Sequence, residues 1–260
     1  MSIADISNGR TRLRLAGADR VEFLHGQCTN EIRSLPVGES CYAAFLNAKG
    51  KMRGDAYIVR LEDAFLLEAS AGLSAALEKF VITEDVVIED VSPSLNAWLV
   101  IGALPAEAVM FKHPLGTGVI SPAARPASLS AAEWEVLRVE AGVPLWGVDM
   151  DENAIPVEAG LMSAISYDKG CYIGQETIAR IKTYGHVNRH LVQLTSASLP
   201  ARGAKIFDGE HEVGQVTSAV RSNWLGKIVA LGYVRREFAS AGVTLTIGEQ
   251  PAEVLKICGQ

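Results

Sequence analysis

The sequence predicts a mixed α+β chain that ends in a small all-β domain. Three observations carry this. In the N-terminal part, short runs of alternating apolar and polar residues are interspersed with runs of helical spacing. From residue 191 onward the texture changes to six short β-like runs separated by Gly turns. The chain has 260 residues, 48% of them hydrophobic, enough for one sizeable core or two to three small ones.

Residues 11–15 alternate polar and apolar, as a half-buried strand does. Asp19 is placed to cap a short helix running through Leu24. Residues 40–46 and 56–59 read as strands. Between them lies the turn Asn47-Ala-Lys-Gly50, whose glycine accepts positive φ. Residues 64–68 read as a strand and 73–80 as a helix; 86–91 and 97–101 read as two further strands. Residues 116–128, rich in Pro, Ala and Gly, read as a loop and a boundary. Residues 130–141 read as a helix, with Ser130 and Glu133 in capping-box positions, and 177–182 as another. The last strands are read at 191–194, 205–207, 213–220, 228–234, 243–247 and 253–257, with Asp208-Gly209 as a hairpin turn. Such a series makes a small barrel or sandwich.

Composition excludes several classes. The net charge is −6, with both signs scattered, whereas a general polyanion binder needs a basic surface. Nucleic acid is therefore not expected as a direct ligand. The first residues have no apolar signal core and are not Arg/Ser-rich and acid-poor, and no run approaches the roughly 18 apolar residues of a membrane span. A cytoplasmic protein without membrane partners is expected, or a mitochondrial matrix protein if this is a processed eukaryotic chain. Of the cysteines, Cys28, Cys41, Cys171 and Cys258, none forms a C-x-x-C pair. No structural metal site and no disulfide framework is expected. The phosphate loop, the dinucleotide Gly fingerprint, H-E-x-x-H and G-x-S-x-G are all missing.

Three segments carry chemistry. Asp168-Lys169-Gly-Cys171-Tyr-Ile-Gly-Gln175-Glu176 sets a thiol among glycines, beside a lysine, with a Gln-Glu pair just ahead of a helix. It reads either as a buried cysteine in a Gly turn or as a thiol activated by Lys169 and the helix N-terminus. Residues 179–190 hold Arg180, Lys182, His186, Arg189 and His190 and no acid. They make either an anion site or a solvated helix end. Asp149-Met-Asp-Glu-Asn-Ala-Ile-Pro156-Val-Glu158 sets a carboxylate after a proline, on backbone read as extended. That carboxylate either accepts a paired N–H edge of a ligand or lies in an acidic surface loop. Asp55 reads in the same way, as a functional acid at a strand start or as one on the solvent face. Among the cysteines, Cys28 and Cys41 belong to apolar patterns, and Cys258 sits near a frayed terminus.

Lys169-Gly-Cys-Tyr-Ile-Gly-Gln-Glu176 matches without departure the K-G-C-[FY]-x-G-Q-E motif of the YgfZ family, which the chain resembles over nearly its whole length. Phe23-Leu-His-Gly-Gln-Cys-Thr-Asn30 and Ala48-Lys-Gly-Lys-Met52 resemble two further segments of it. Residues 138–149, Pro156-Val-Glu158, Gly214-x-Val-Thr-Ser218 and Ala230-Leu-Gly-Tyr-Val234 resemble segments shared with the glycine-cleavage T-protein. T-proteins lack the K-G-C motif and are longer; some YgfZ proteins lose the acid that Asp55 matches.

The resemblance implies two interleaved α/β domains around a central cavity, over residues 1–190, and a C-terminal β-barrel over 191–260. It implies tetrahydrofolate or a derivative as cofactor, bound through Asp55, Glu158 and Arg189. Cys171, with Lys169, Gln175 and Glu176 of the motif, is implied as the catalytic group. The implied role is accessory: support for the assembly or repair of iron–sulfur enzymes, tRNA-modifying ones included, with those clients or assembly factors as partners. The alternative is a tetrahydrofolate-dependent aminomethyltransferase or demethylase in which Asp55 is the acid/base.

Overall fold

The computed structural model describes residues 1–102 and 109–259. The first elements are β1 (Ser2–Asp5), β2 (Arg10–Ala16), α1 (Arg20–Gln27), β3 (Ser40–Leu46), β4 (Met52–Arg60), β5 (Ala64–Ser70) and α2 (Leu73–Glu78). Next come β6 (Val87–Asp90), β7 (Asn96–Ile101), β8 (Val109–His113), β9 (Gly116–Ser121), α3 (Ala131–Ala141) and α4 (Gln175–Tyr184). The chain ends in β10 (Arg189–Ser196), β11 (Lys205–Asp208), β12 (His211–Ser222), β13 (Lys227–Arg235), β14 (Thr244–Ile247) and β15 (Gln250–Ile257). The chain divides into two compact units that exchange segments. Met1–Ala131 and Ser163–Ala179 form the first, Ala132–Met162 and Arg180–Gln260 the second.

The first unit holds a five-stranded sheet, β3-β4-β5-β2-β6, and a four-stranded sheet, β1-β7-β9-β8, both antiparallel. The two-residue period of β2 turns Leu13 and Leu15 inward. There they meet Phe45, Ile58, Phe65 and Leu67, together with Leu24 of α1 and Leu73 of α2. Each such burial is worth roughly 1.5–3 kcal/mol. Tyr42, Tyr57 and Phe111 stack in succession with centroids 4.5 Å apart, joining the two sheets.

Several expectations need correction here. Residues 116–121 are a strand, not a loop. Gly118 stands opposite Phe111, whose ring fills the place where a Cβ would lie only 2.0 Å from its Cζ. The glycine that reads as a loop signal thus leaves room for an aromatic cross-strand neighbour. Strands β1 and β8 are additional to the expected elements. Asp19 sits at the N-cap of α1, but its Oδ2 accepts from the Asp85 backbone N–H at 2.8 Å rather than from the helix. Finally, α4 begins at Gln175, so Gln175 and Glu176 form its first turn instead of preceding it.

The second unit carries α3 and a closed barrel in the order β10-β13-β12-β11-β14-β15. Closure leaves no free sheet edge. Val192, Leu194, Ile206, Val216, Ala230, Leu245 and Val254 fill it. Val139 of α3 packs with Leu191, Val229, Leu231 and Cys258. Beside it, the buried Arg138 donates to Asp149 Oδ2 at 2.6 Å and to Ser218 Oγ at 2.8 Å, while Ser218 donates to Asp149 Oδ1 at 2.7 Å. Cys258 is buried, not frayed: its N–H donates to the Leu191 carbonyl at 2.9 Å. Among the described residues, no helix is long and apolar enough to cross a membrane.

Candidate functional site

The three motif segments of the first unit converge. Helix α1 ends at Gln27 with its last carbonyls open, and such an end favours a cation. Lys169, 6% exposed, supplies one. Its Nζ donates to the carbonyls of His25 at 2.7 Å, Cys28 at 2.8 Å and Asn30 at 2.7 Å. The Ile173 N–H adds a bond to the Gly26 carbonyl at 3.1 Å. On the far side, the Thr177 hydroxyl donates to the Lys49 carbonyl at 3.1 Å. Gly174, at φ 82°, lets this turn meet the β3–β4 turn, because a Cβ there would stand 2.5 Å from the Asn47 carbonyl oxygen.

Cys171 is exposed on this anchored turn. The other three cysteines sit in apolar surroundings, and burial pushes the thiols up, to about 11 for Cys28 and about 12 for Cys41 and Cys258. Gln175 is half-buried and Glu176 exposed in the first turn of α4. Lys169 therefore shares the turn with Cys171, but its ammonium is committed to the backbone below. Beneath the turn lies His25, 2% exposed, its Nδ1 3.3 Å from Glu31 Oε1; among the described residues neither ring nitrogen makes a well-formed hydrogen bond, and burial and then Lys169 hold its pKa below the ordinary value. The sequence contained His25 in a quoted segment without any spacing that singled it out.

Asp55 is neither at a strand start nor on a solvent face. It is the fourth residue of β4 and 2% exposed. Arg10 Nη1 donates to both its oxygens, at 3.3 and 3.1 Å, and the Tyr42 hydroxyl donates to Oδ2 at 2.8 Å. Arg10 Nε also lies 3.3 Å from Oε1 of the fully buried Glu68, whose oxygens have no well-formed hydrogen bond among the described residues. Burial opposes the Arg10 charge, but the two acids outweigh it and raise the pKa. Burial pushes Glu68 up to about 7 despite Arg10. Arg10, Tyr42 and Glu68 escape sequence reading because their partners are 45, 13 and 58 residues away.

Glu158 and Arg189, far apart in sequence, come together in the second unit. Arg189 Nε donates to Glu158 Oε2 at 2.9 Å, and its guanidinium lies 4.5 Å from the centroid of the Tyr233 ring. Glu158 is buried at 6% exposure, in hydrogen-bonded turns rather than on extended backbone or in a surface loop. Among the described residues its Oε1 takes no donor, so one oxygen is held and the other is open. A cavity of about 370 Å³ adjoins the pair, lined by Asp149, Asn153, Arg189, Arg202, Thr217 and Tyr233.

Comparison with known proteins adds to this geometry. The family model described as "GCVT N-terminal domain" matches residues 1–112, and that of the "Glycine cleavage T-protein C-terminal barrel domain" matches 189–256. The chain is 27% identical to a "Putative transferase At1g60990, chloroplastic" of Arabidopsis thaliana, over 92% of this chain and 66% of that protein. It is 30% identical to the human "Iron-sulfur cluster assembly factor IBA57, mitochondrial", over 92% of this chain and 82% of that one. A "tRNA-modifying protein YgfZ" of Blochmanniella pennsylvanica is 27% identical over 75% of this chain and 74% of its own. The matched part takes in just under two thirds of the Arabidopsis protein and 33% of a Thermosynechococcus vestitus aminomethyltransferase. The crystal structure of the glycine cleavage system aminomethyltransferase T from Bartonella henselae superposes with a TM-score of 0.82 at 21% identity, over 99% of this chain and 85% of that one. That likeness establishes the T-protein-like fold with its closed barrel. The two domain models and the long human match together carry the assignment: the chain belongs to the YgfZ-like, T-protein-like family.

Proposed function

We propose that the chain binds a reduced folate, tetrahydrofolate or a derivative, and acts as an accessory factor in the assembly or repair of iron–sulfur enzymes. The contrast between Asp55 and Cys171 carries this reading. A one-carbon transferase would use Asp55 as its acid/base, yet that carboxylate is buried and held by Arg10 and Tyr42. Cys171 is the exposed thiol, on a turn fixed from below by Lys169. It offers a sulfur ligand to a client's iron. The names of the human and Blochmanniella relatives point the same way, with tRNA modification reached through the iron–sulfur enzymes that perform it.

The donor set of the second unit fits a folate. The open Oε1 of Glu158 suits the N–H edge of an aminopyrimidine, and Arg189, stacked on Tyr233, suits an anionic or aromatic part. A charge-assisted hydrogen bond of about 1.5–3 kcal/mol corresponds to a roughly 10- to 100-fold loss of tetrahydrofolate affinity in Glu158→Ala, read by calorimetry. Cys171→Ser keeps that affinity and fails to restore iron–sulfur enzyme activity in cells lacking the factor. Full complementation by Cys171→Ser removes the thiol from the function. Production of methylene-tetrahydrofolate from tetrahydrofolate and an aminomethyl donor would favour the transferase reading instead.

A further inference from the structure

One end of the barrel carries apolar side chains that the fold does not use. Trp224 is 89% exposed, Leu225 45% and Leu199 54%. Trp224 and Leu225 occupy the tip of the β12–β13 hairpin, just beyond the paired residues Ser222 and Lys227. The tip is a built turn. Ser222, 1% exposed, accepts the Leu225 N–H on its hydroxyl at 2.9 Å, and Gly226 closes the turn at φ 62°. A tryptophan held outward by a defined turn exposes a large apolar area that water solvates poorly.

A cavity of about 440 Å³ lies beside this tip, lined by Thr195, Ser196, Arg221, Lys227, Thr244 and Glu253 among others. Arg221 and Lys227 are both exposed, and neither forms a side-chain ion pair among the described residues. Two free cations and a polar cavity thus flank an apolar knob in a chain whose net charge is −6. Aromatic anchors beside arginine are what protein interfaces concentrate at their centres.

We infer that this hairpin tip and the adjoining cavity form a docking surface for an acidic segment of a partner protein. Its carboxylates meet Arg221 and Lys227, and its apolar residues pack on Trp224 and Leu225. Two features favour a protein over a polyanion or a lipid surface. Two cations with Glu253 close by make a weak phosphate site, since nucleic-acid and membrane binders gather many more. A cavity receives a protruding side chain, which a flat bilayer does not offer.

The test uses the full chain, panned against a displayed library of random dodecapeptides. Selected peptides are then synthesised and titrated by fluorescence polarisation. The expected result is a consensus of Asp or Glu with Leu, Ile or Phe. Trp224→Ala weakens its binding roughly 30-fold or more, the loss that truncating a central anchor brings. The double change Arg221→Glu and Lys227→Glu weakens it at least tenfold. Unchanged melting temperatures and tetrahydrofolate affinity in these variants show that neither the fold nor the ligand site has moved. Failure to select a peptide, a consensus without acids, or equal binding by the variants overturns the inference. So does Trp224-dependent binding to phosphatidylcholine–phosphatidylglycerol vesicles or to total tRNA, each of which assigns the surface to another class of partner.

Discussion

Replacing Lys169 with Met removes the ammonium that closes α1 and leaves the carbonyls of His25, Cys28 and Asn30 without it. The wild-type bonds are short, 2.7, 2.8 and 2.7 Å, and are made by a side chain only 6% exposed. Hydrogen bonds to a charged group contribute about 1.5–3 kcal/mol each, and a buried acceptor left unpaired costs about 1–3 kcal/mol. Against this stands the desolvation of the ammonium, several kcal/mol, which the variant no longer bears. The balance is a loss of about 2–4 kcal/mol. With a urea slope of about 2 kcal/mol/M, the midpoint falls by roughly 1–2 M. Hydrogen exchange reads the same change locally, as faster exchange of the Cys28 and Ile173 amides. An unchanged midpoint combined with slowed alkylation of Cys171 would refute this reasoning, because Lys169 would then serve the thiol and not the helix end.

Asp149→Ala strands Arg138, 1% exposed, with only Ser218, a carbonyl and the half-exposed Glu135. Loss of one partner from a buried pair costs about 3–5 kcal/mol, so the barrel unfolds earlier in urea; a loss below about 1 kcal/mol contradicts the network as drawn. Glu68→Gln tests the buried acid of the first unit. With its folded pKa raised from 4.5 to about 7, Glu68 holds more protons folded than unfolded across that window, so its contribution falls as pH rises from about 4.5 to about 7. Burial lowers His113 to about 4, which works in the opposite sense: its contribution is complete above 6.5 and lost as pH falls toward 4. The stability difference between Glu68→Gln and wild type therefore shifts in the variant's favour by on the order of 3 kcal/mol from pH 4.5 to 7, and a constant difference across denaturation curves in that range sinks the assignment.

The regular elements were legible wherever one residue type sets the local geometry. Period-two alternation marked β2, and Asp208-Gly209 marked the β11–β12 hairpin. Gly118 misled because its strand role depends on Phe111 seven residues earlier, a packing fact that no local propensity carries. In the candidate site, the motif pointed to this turn and sequence reading set the Lys169 charge beside the neighbouring thiol, whereas its ammonium reaches the end of helix α1. The pairing of Glu158 with Arg189 was implied only as shared ligand contact; the direct ion pair depends on a fold that closes 31 residues of separation. Arg10 and Glu68 gave no signal, since a charged residue in a strand is ordinarily placed on the solvent face.

The exchange of segments between the two units bears on how the protein is made. A ribosome that has emitted the first 131 residues has supplied both sheets of the first unit, yet the residues that complete it, 163–179, are still to come. Until Lys169 emerges, the end of α1 has no cation, and until Gly174 and Thr177 follow, the β3–β4 turn has no counterpart. Domains ordinarily mature from the amino terminus as they are synthesised, but here the first unit waits on a segment translated after part of the second. The turn that carries Cys171 is thus among the last pieces of that unit to arrive, and the thiol gains its anchored setting only once residues 163–179 have been made.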